Sequence, residues 1–459
     1  MPTIRYRLDR TWRRPGDGSV IIAGSPLRLF RLSAGGARVA AQLEAGAPPD
    51  TAAVREFIDR FVDAGALHPL PDASEFTLDD VTVVMPHWSP DSGRLTAEVP
   101  SGVAVIVVDD ASPGWAAPMP EGPALRVLRR DANGGPAAAR NTGLAEVRTP
   151  LVAFVDTDVV LPDSAHEWLT PLLAQFADPR VAIAAPRVAS RADIGSVAAY
   201  EQRHSPIDMG DEPARVSPGT RVGYIPSAVM VCRTAAVRDL GGFDEGLRFG
   251  EDVDLVWRAV AAGHRVRYEP SVVVHHRPRS RWADVLRQRV GYGRSAAPLA
   301  ARHHAAVAPV RASAWSLAVW LLVAMRRPGV GAALAAGTAI ALRRRLAALP
   351  AADALRPALT GHLHAGRQLA SAVRRVWWPL AAVVWLVSRR SRPLIAAAFV
   401  LPETIEAIRL RSTRPVRDLP AAIADDLAYG YGVWAGVAAT GEVGALLPDV
   451  SPWPPRDRR

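Results

Sequence analysis

The sequence of 459 residues contains a single cysteine, Cys232, which lies in the apolar run AVMVCRT. A lone cysteine excludes a disulfide-stapled fold and indicates a buried free thiol in a reducing compartment. The first residues, MPTIRYRLDRTWRR, are charged and lack the apolar core of a signal peptide. We therefore expect a protein that is not exported.

Motifs for binding RNA or DNA are absent, although the formal net charge is +10. The positive charge is carried by arginine, much of it after Arg277, and it is not interleaved with aromatic residues as in nucleic-acid-binding proteins. Arginines that flank apolar segments suit an anionic membrane surface better, and a few of them suit a diphosphate. We expect no nucleic-acid partner and keep a membrane surface as a candidate partner.

An apolar run of about 20 residues, the length that spans a bilayer, is also missing. After residue 296 the apolar runs are shorter and lie at 312–325, 330–342, 376–387 and 394–401. Arginines at their ends and several nearby tryptophans suit the headgroup region of a membrane. Two alternatives stay open: segments that associate with a membrane, with or without spanning it, and a soluble helical domain that covers an active site.

The most informative stretch of the sequence is LVAFVDTDVV at 151–160, which contains two carboxylates, Asp156 and Asp158. They follow an apolar run that predicts a buried strand, and alternation along an extended strand would place both on one side. Carboxylate oxygens at a strand end suit a divalent cation with positions left for a diphosphate. A pair of solvated residues at a strand end is the plain alternative.

A second acidic pair, Asp109 and Asp110, ends the run VAVIVVDDAS at 103–112. The mostly β-branched run predicts a buried parallel strand, and ligands of open α/β sheets bind beyond the carboxyl ends of such strands. A base or a ribose can donate hydrogen bonds to these carboxylates. A turn in which an aspartate caps a helix explains the pair equally well.

The segment NGGPAAARNTGL at 133–144 predicts a glycine turn that opens into a helix, with Arg140 about one turn further on. A helix start beside a guanidinium suits a diphosphate, although any glycine turn before a helix looks similar.

A further glycine-rich stretch, GGFDEGLRFGEDVDLVWRAV at 241–260, places Glu251 and Asp252 at the start of an amphipathic helix. The helix macrodipole favours ionised carboxylates there. An ionised aspartate is what a sugar-transfer reaction needs to take a proton from an acceptor hydroxyl. Acidic helix capping is the alternative.

In this order the stretches resemble glycosyltransferase family 2, with a GT-A nucleotide-diphospho-sugar transferase fold, over about 81–294. The resemblance implies that Asp110, Arg140 and Asp156 contact the nucleotide. It also implies that Asp156 and Asp158 bind Mg²⁺ or Mn²⁺, and that Asp252 is the catalytic base. Of two adjacent histidines after SVVV, only one can point into the site, and we expect His275 rather than His276 as a further metal ligand.

The first 76 residues predict a separate winged-helix-like α+β unit. YRLDRTWRR, SVIIAG and LRLFRLS indicate three strands, AGGARVAAQLEAG and TAAVREFIDRFVDAGAL indicate two helices, and LHPLPDASEF indicates a linker. This pattern resembles PqqD-like peptide-recognition domains. A structural subdomain without a ligand is the alternative.

We therefore predict an α/β protein with a PqqD-like domain at 1–76, a GT-A domain at 79–295 and a helical, membrane-associated or soluble region at 296–459. The domain order resembles glycosyltransferases of the mycofactocin system. That resemblance implies an inverting enzyme that moves hexose, glucose from UDP-glucose, from a nucleotide-sugar donor to a peptide-derived acceptor and builds an oligosaccharide.

Such an enzyme would work at the cytoplasmic side of the cell membrane, or in the cytoplasm if the C-terminal segments form a soluble core. One alternative is a membrane glycosyltransferase that makes a lipid-linked or cell-wall glycan. The acceptor motif Gln-x-x-Arg-Trp of membrane polysaccharide synthases has no tryptophan in the nearest segment, RQRVGYGR at 287–294. A non-catalytic peptide-binding scaffold is the alternative from another class.

Overall fold

A computed structural model describes residues 4–46, 51–89, 100–114, 124–191, 194–347, 349–410 and 414–451. The chain divides into two compact units, residues 1–14 with 18–280 and residues 15–17 with 281–459. The first unit contains the N-terminal elements and a large mixed sheet, and the second is helical.

The N-terminal elements form two small antiparallel sheets around two helices. They are β1 (Ile4–Leu8), β2 (Val20–Ala23), β3 (Arg28–Arg31), α1 (Ala34–Glu44), α2 (Ala52–Val62) and β4 (Leu67–Pro71). Strand β1 pairs with β4, and β2 pairs with β3. The second and third predicted strands and both helices are confirmed, whereas the first strand lies at Ile4–Leu8 and shares only residues 6–8 with the predicted stretch YRLDRTWRR. The predicted linker is wrong in its first half, because β4 pairs with β1 alone and such an edge strand tolerates proline.

A cluster of aromatic rings holds this small core together. Phe61 is buried, and its ring centroid lies 4.5 Å from that of Phe30 and 5.3 Å from that of Trp12. Helix α2 turns Phe61 inward because its apolar residues recur at helical spacing, and Thr51 caps its start by accepting the Val54 N–H at 3.3 Å.

The large sheet has nine described strands, in the order β11-β13-β10-β12-β8-β5-β6-β7, with β9 paired to β13. The strands are β5 (Val81–His87), β6 (Ala104–Asp109), β7 (Leu125–Arg129), β8 (Leu151–Val155), β9 (Val159–Val160), β10 (Val181–Ser190), β11 (Ala214–Arg215), β12 (Val229–Arg233) and β13 (Arg265–His276).

The centre of this sheet is parallel and almost wholly apolar. Strands β5, β6 and β8 run parallel, while β12 runs antiparallel between β8 and β10 and makes the sheet mixed. Near-continuous apolar runs form these strands because both faces are covered. Their carboxyl ends therefore lie side by side, where ligands of open α/β sheets bind.

Five helices accompany the sheet: α3 (Gly135–Glu146), α4 (Ala165–Ala174), α5 (Ser196–His204), α6 (Thr234–Asp239) and α7 (Glu251–Ala261). Helix α3 approaches β5 closely at Gly143, where an added Cβ would lie 2.3 Å from Val84 Cγ1. This glycine brings the helix that carries Arg140 down onto the sheet.

The second unit is built from helices and one short parallel strand pair. The helices are α8 (Trp282–Arg294), α9 (Ala296–His303), α10 (Ala314–Ala324), α11 (Pro328–Arg345), α12 (Ala351–Arg375), α13 (Trp378–Val387), α14 (Arg392–Leu410), α15 (Arg414–Arg417) and α16 (Leu419–Thr440), and the strands are β14 (Arg311–Ser313) and β15 (Asp449–Ser451). Helices α8 and α16 pack through glycines and a buried ion pair, Arg289 Nε to Asp425 Oδ2 at 2.9 Å.

The second compact unit begins at Arg281 with α8, because α8 packs against α16. The boundary at residue 295 between a transferase domain and a helical region stays a prediction. Within the described residues no single helix has the length and apolar character to cross a bilayer. Helices α12 and α13 meet those criteria only as a pair, and an 85° bend separates them.

Candidate active site

Four chain segments meet beyond the carboxyl end of β8. They are the turn with Asp156 and Asp158, the body of α3 with Arg140, the start of α7 with Glu251, and the end of β13 with His276. Asp156, Asp158 and Arg140, which the sequence predicted for one site, therefore lie together in the structure.

Arg140 links two carboxylates that lie far apart in the sequence. Its Nη2 donates to Asp156 Oδ1 at 2.6 Å, and its Nη1 donates to Glu251 Oε1 at 2.8 Å. The side chain is 2% exposed, and its guanidinium carbon lies 5.3 Å from the ring centroid of Phe243. Burial opposes the charged form, but the two carboxylates overcome it and hold the pKa of Arg140 above its usual range.

Asp156 and Asp158 have different partners. Strand β8 ends at Val155, so both aspartates lie in a turn and the expected placement on one side of a strand is wrong. Burial and the charge of Asp158 raise the pKa of Asp156, although Arg140 opposes the rise. Burial also acts to raise the pKa of Asp158, but the hydrogen bond and the charge of His276 outweigh it and lower that pKa.

The second histidine of the pair, not the first, reaches the site. His276 Nε2 lies 2.9 Å from Asp158 Oδ2, whereas His275 is exposed. The expectation for His275 is therefore corrected to His276. The reason is the register of β9 on β13, which pairs His276 with Val159, the residue that follows Asp158.

Asp158 and His276 are joined by a hydrogen bond at 2.9 Å, and they would both be able to bind a divalent cation once Nε2 of His276 has lost its proton. Neighbouring ligands at about 2.1 Å from an octahedral metal lie about 3 Å apart, which is close to this distance. In the described parts of the chain, no group of three or more His, Cys, Asp or Glu side chains is placed to hold a metal. The remaining ligands would be phosphate oxygens and water, as is usual for Mg²⁺.

Asp110 organises the loop before α3. Its Oδ1 accepts the Gly134 N–H at 3.0 Å, its Oδ2 accepts the Gly135 N–H at 2.7 Å, and it also pairs with Arg130. The capping role that competed with nucleotide binding is thus present. A carboxylate accepts about four hydrogen bonds, so a contact with a nucleotide base stays a prediction.

Glu251 and Asp252 begin α7, which follows Gly250 in the left-handed conformation at φ +80°. Asp252 Oδ2 accepts the Ser227 N–H at 3.2 Å, and Oδ1 accepts the Val253 N–H at 2.7 Å. Burial raises the pKa of Asp252, and burial together with the charge of Asp252 raises the pKa of Glu251 to about 7.

The sequence did not predict that these two acids have different hydrogen-bond partners. Glu251 accepts a hydrogen bond from Arg140, whereas Asp252 accepts hydrogen bonds from backbone N–H groups. The adjacency of the two acids gave no signal for this, because the partner of Glu251 lies more than 100 residues away in the chain.

Comparison with known proteins identifies the family. Residues 101–291 match the family model described as "Glycosyltransferase like family 2". Over 466 aligned residues the chain is 39% identical to the pre-mycofactocin glycosyltransferase of Mycobacterium tuberculosis, and 97% of each chain is covered. The chain belongs to glycosyltransferase family 2. The predictions of a glycosyltransferase and of a GT-A domain are confirmed, which leaves the scaffold alternative without support.

More distant relatives of this glycosyltransferase cover less of it. The succinoglycan biosynthesis protein ExoO of Rhizobium meliloti is 30% identical over 40% of this chain and 55% of its own. A mannosyltransferase from Pyrobaculum calidifontis, solved with GDP-Man and Mn²⁺, is 17% identical with a TM-score of 0.42, over 80% of this chain and 90% of its own.

The two acids of α7 lead to a prediction about pH. A base works only when it is ionised, so the prediction that Asp252 is the base requires activity to fall as pH drops through the raised pKa of Asp252. Glu251→Gln removes a like charge beside Asp252 and frees Arg140, and both changes favour ionised Asp252. The acid limb of kcat/KM should therefore move to lower pH, by about one unit. Glu167→Gln, a change at an exposed acid of α4, is the control. An acid limb that stays in place would show that Glu251 does not influence the base.

Proposed function

We propose that this glycosyltransferase transfers glucose from UDP-glucose to a hydroxyl group of the peptide-derived mycofactocin precursor, with inversion, and that repeated transfer builds an oligosaccharide. The observation that carries the proposal is the likeness to the pre-mycofactocin glycosyltransferase over 97% of both chains. It extends through the N-terminal elements as well as the transferase sheet.

Asp252 acts as the base in this proposal. Its carboxylate takes the proton of the acceptor hydroxyl while the hydroxyl oxygen bonds to the anomeric carbon, and the bond to the nucleoside diphosphate breaks on the opposite face. The Ser227 and Val253 N–H groups fix the carboxylate. Burial brings the pKa of Asp252 nearer to neutrality, where a base is both ionised and able to accept a proton.

The donor diphosphate is assigned to the part of the site that carries Asp158 and His276. These two residues would hold a divalent metal, Mg²⁺ or Mn²⁺, which would supply positive charge to the leaving diphosphate. Arg140 keeps Asp156 oriented for the nucleotide, and Asp110 keeps the loop before α3 in place for it.

The N-terminal elements at 1–76 are assigned to peptide recognition in the manner of PqqD-like domains, ahead of a transferase domain at 79–295. Among the described strands, β3 pairs on one side only, with β2, and its Leu29 is 37% exposed. An extended peptide can add to such an edge through backbone hydrogen bonds. Ion pairs from Arg265 to Asp59 and Asp63 fasten these elements to the large sheet.

The helical region at 296–459 is assigned to the cytoplasmic face of the membrane. Helix α13 is apolar along its length, yet Leu386 and Val387 are 74% and 78% exposed. Helices α13 and α14 line an apolar groove of about 560 Å³, and Arg389 and Arg390 follow the exposed end of α13. Exposed apolar residues beside arginines suit an anionic bilayer surface.

The membrane assignment predicts binding to vesicles of phosphatidylglycerol and phosphatidylcholine in a sedimentation assay. The double variant Leu386→Glu, Val387→Glu should weaken this binding about tenfold or more. The reason is that two aliphatic side chains that would insert into the lipid are replaced by charged ones. Leu363→Glu, on the exposed side of α12, is the matched control and should bind as the wild type does. Equal binding by all three proteins would rule out α13 as the contact.

The central test of the proposed function uses Asp252→Asn, which keeps the side-chain shape and removes its proton-accepting capacity. Calorimetry should show that UDP-glucose still binds. Glucose transfer to the peptide-derived precursor, followed by mass spectrometry, should fall about 100-fold or more. Asp163→Asn, at an exposed position, should keep full transfer.

Other outcomes of that experiment assign the function differently. Near-normal transfer by Asp252→Asn would give the role of the base to another residue. Wild-type transfer to lipid-linked acceptors but not to the peptide-derived precursor would favour the membrane glycan synthase.

The metal assignment predicts a difference between two adjacent histidines. His276→Ala removes a ligand and should weaken Mn²⁺-dependent binding of UDP about 10- to 100-fold by calorimetry. His275→Ala should leave that affinity unchanged, because His275 is exposed on the strand. If both variants bind alike, His276 is not a metal ligand.

A further inference from the structure

Two arginines face each other at the edge of the large sheet, away from the transfer site. In the antiparallel pair β11–β13, Arg215 lies directly opposite Arg267. Side chains at such positions leave the same face of the sheet with Cβ atoms about 5 Å apart, and like charges placed there repel each other. The stretch of β13 from Arg267 to His276 pairs with Ala184 to Ser190 of β10, six residue steps, so the two residues lie roughly 20 Å apart along the sheet.

Arg267 is buried without a partner for the end of its side chain. The residue is 4% exposed, and neither Nη1 nor Nη2 makes a hydrogen bond with any part of the chain that the structure describes. Burial, and then the charges of Arg265 and Arg215, lower the pKa of Arg267 to about 10. A buried guanidinium normally has a carboxylate or carbonyl acceptor, because burying an unpaired charge is costly.

The acidic residues nearby are already engaged. Arg265 donates to Asp59 at 2.7 Å, to Asp63 at 2.8 Å and to Asp178 at 2.6 Å. Arg180 takes the second oxygen of Asp63 at 2.8 Å. Their carboxylates therefore compensate Arg265 and Arg180, and the pair Arg215–Arg267 keeps an excess of positive charge.

We propose that Arg215 and Arg267 form an oxyanion-binding site at the junction between the N-terminal elements and the large sheet. A carboxylate or a phosphate group fits its chemistry, because both accept paired N–H donors from guanidinium groups. Gly65, at the end of the N-terminal helical segment, lies beside it, 3.7 Å from Arg215 Cβ when a Cβ is added to the glycine. Two sources supply this chemistry: free phosphate, and an acidic side chain of a peptide held by the N-terminal elements.

The site is distinct from the donor site of the proposed function. The Arg215–Arg267 pair and the metal site proposed at Asp158 and His276 lie at different places along β13. Binding there does not depend on which sugar is transferred or on which acceptor is used, so the two proposals succeed or fail separately.

The test measures anion binding to the full-length protein in chloride buffer of constant ionic strength. One arm titrates inorganic phosphate, and the other titrates a blocked hexaglutamate peptide against its hexaglutamine counterpart, both by calorimetry and by thermal unfolding. We expect saturable binding of one oxyanion per chain, with a rise in Tm as the site fills. Arg267→Met should lose this binding, with affinity reduced about tenfold or more.

Two variants complete the design. Arg60→Met removes a positive charge from an exposed position on α2 and should bind the anion as the wild type does. Arg215→Gln changes the half-buried partner and tests the site even if Arg267→Met folds poorly. In chloride alone, Arg267→Met should melt at a higher temperature than the wild type, because an unpaired buried charge has been replaced by an apolar side chain.

The outcomes separate the sources of the anion and decide the proposal. Phosphate binding without peptide binding assigns the site to a free oxyanion, and selective binding of hexaglutamate assigns it to an acidic peptide. If the wild type binds neither probe saturably, or if Arg267→Met and Arg215→Gln bind like the wild type, the proposal is wrong.

Discussion

The active site depends on one buried cation, the guanidinium of Arg140. It joins Asp156, which follows a central strand, to Glu251, which begins a helix more than 100 residues later. Each carboxylate is buried or half-buried, so each would be unstable as an ion without the arginine. Removal of one partner of such a group costs about 3–5 kcal/mol, because a buried charge is left uncompensated. The positions of the turn after β8 and of the start of α7 are therefore coupled.

The same arrangement gives the neighbouring acids different partners. Arg140 pairs with both Asp156 and Glu251, while Asp158 pairs with His276 and Asp252 is held by backbone N–H groups. The charge of His276 lowers the pKa of Asp158 and keeps that carboxylate ionised. Burial raises the pKa of Asp252. Neighbouring acids thus acquire opposite properties from their surroundings.

Ion pairs also attach the N-terminal elements to the transferase sheet. Arg265, on β13, contacts three aspartates, two of which lie on or next to α2. This network attaches the small apolar core of the N-terminal elements to the large sheet. Arg267 lies beside the network, and the charge of its guanidinium has no acceptor there among the residues that the structure describes. Strand β13 therefore begins at the junction with the N-terminal elements, at Arg265, and ends at the candidate active site, at His276.

Local properties of the sequence determined most of the secondary-structure elements and singled out several of the residues that meet beyond β8. Apolar runs such as LVAFV predict their strands because burial on both faces selects them, and glycines mark the helix starts before Arg140 and Asp252. Only the tertiary structure decided that Asp110 caps a loop, that Glu251 pairs with Arg140, and that His276 rather than His275 meets Asp158. Those outcomes depend on the register of β9 against β13 and on the packing of α3 at Gly143, and both are contacts between residues distant in the chain.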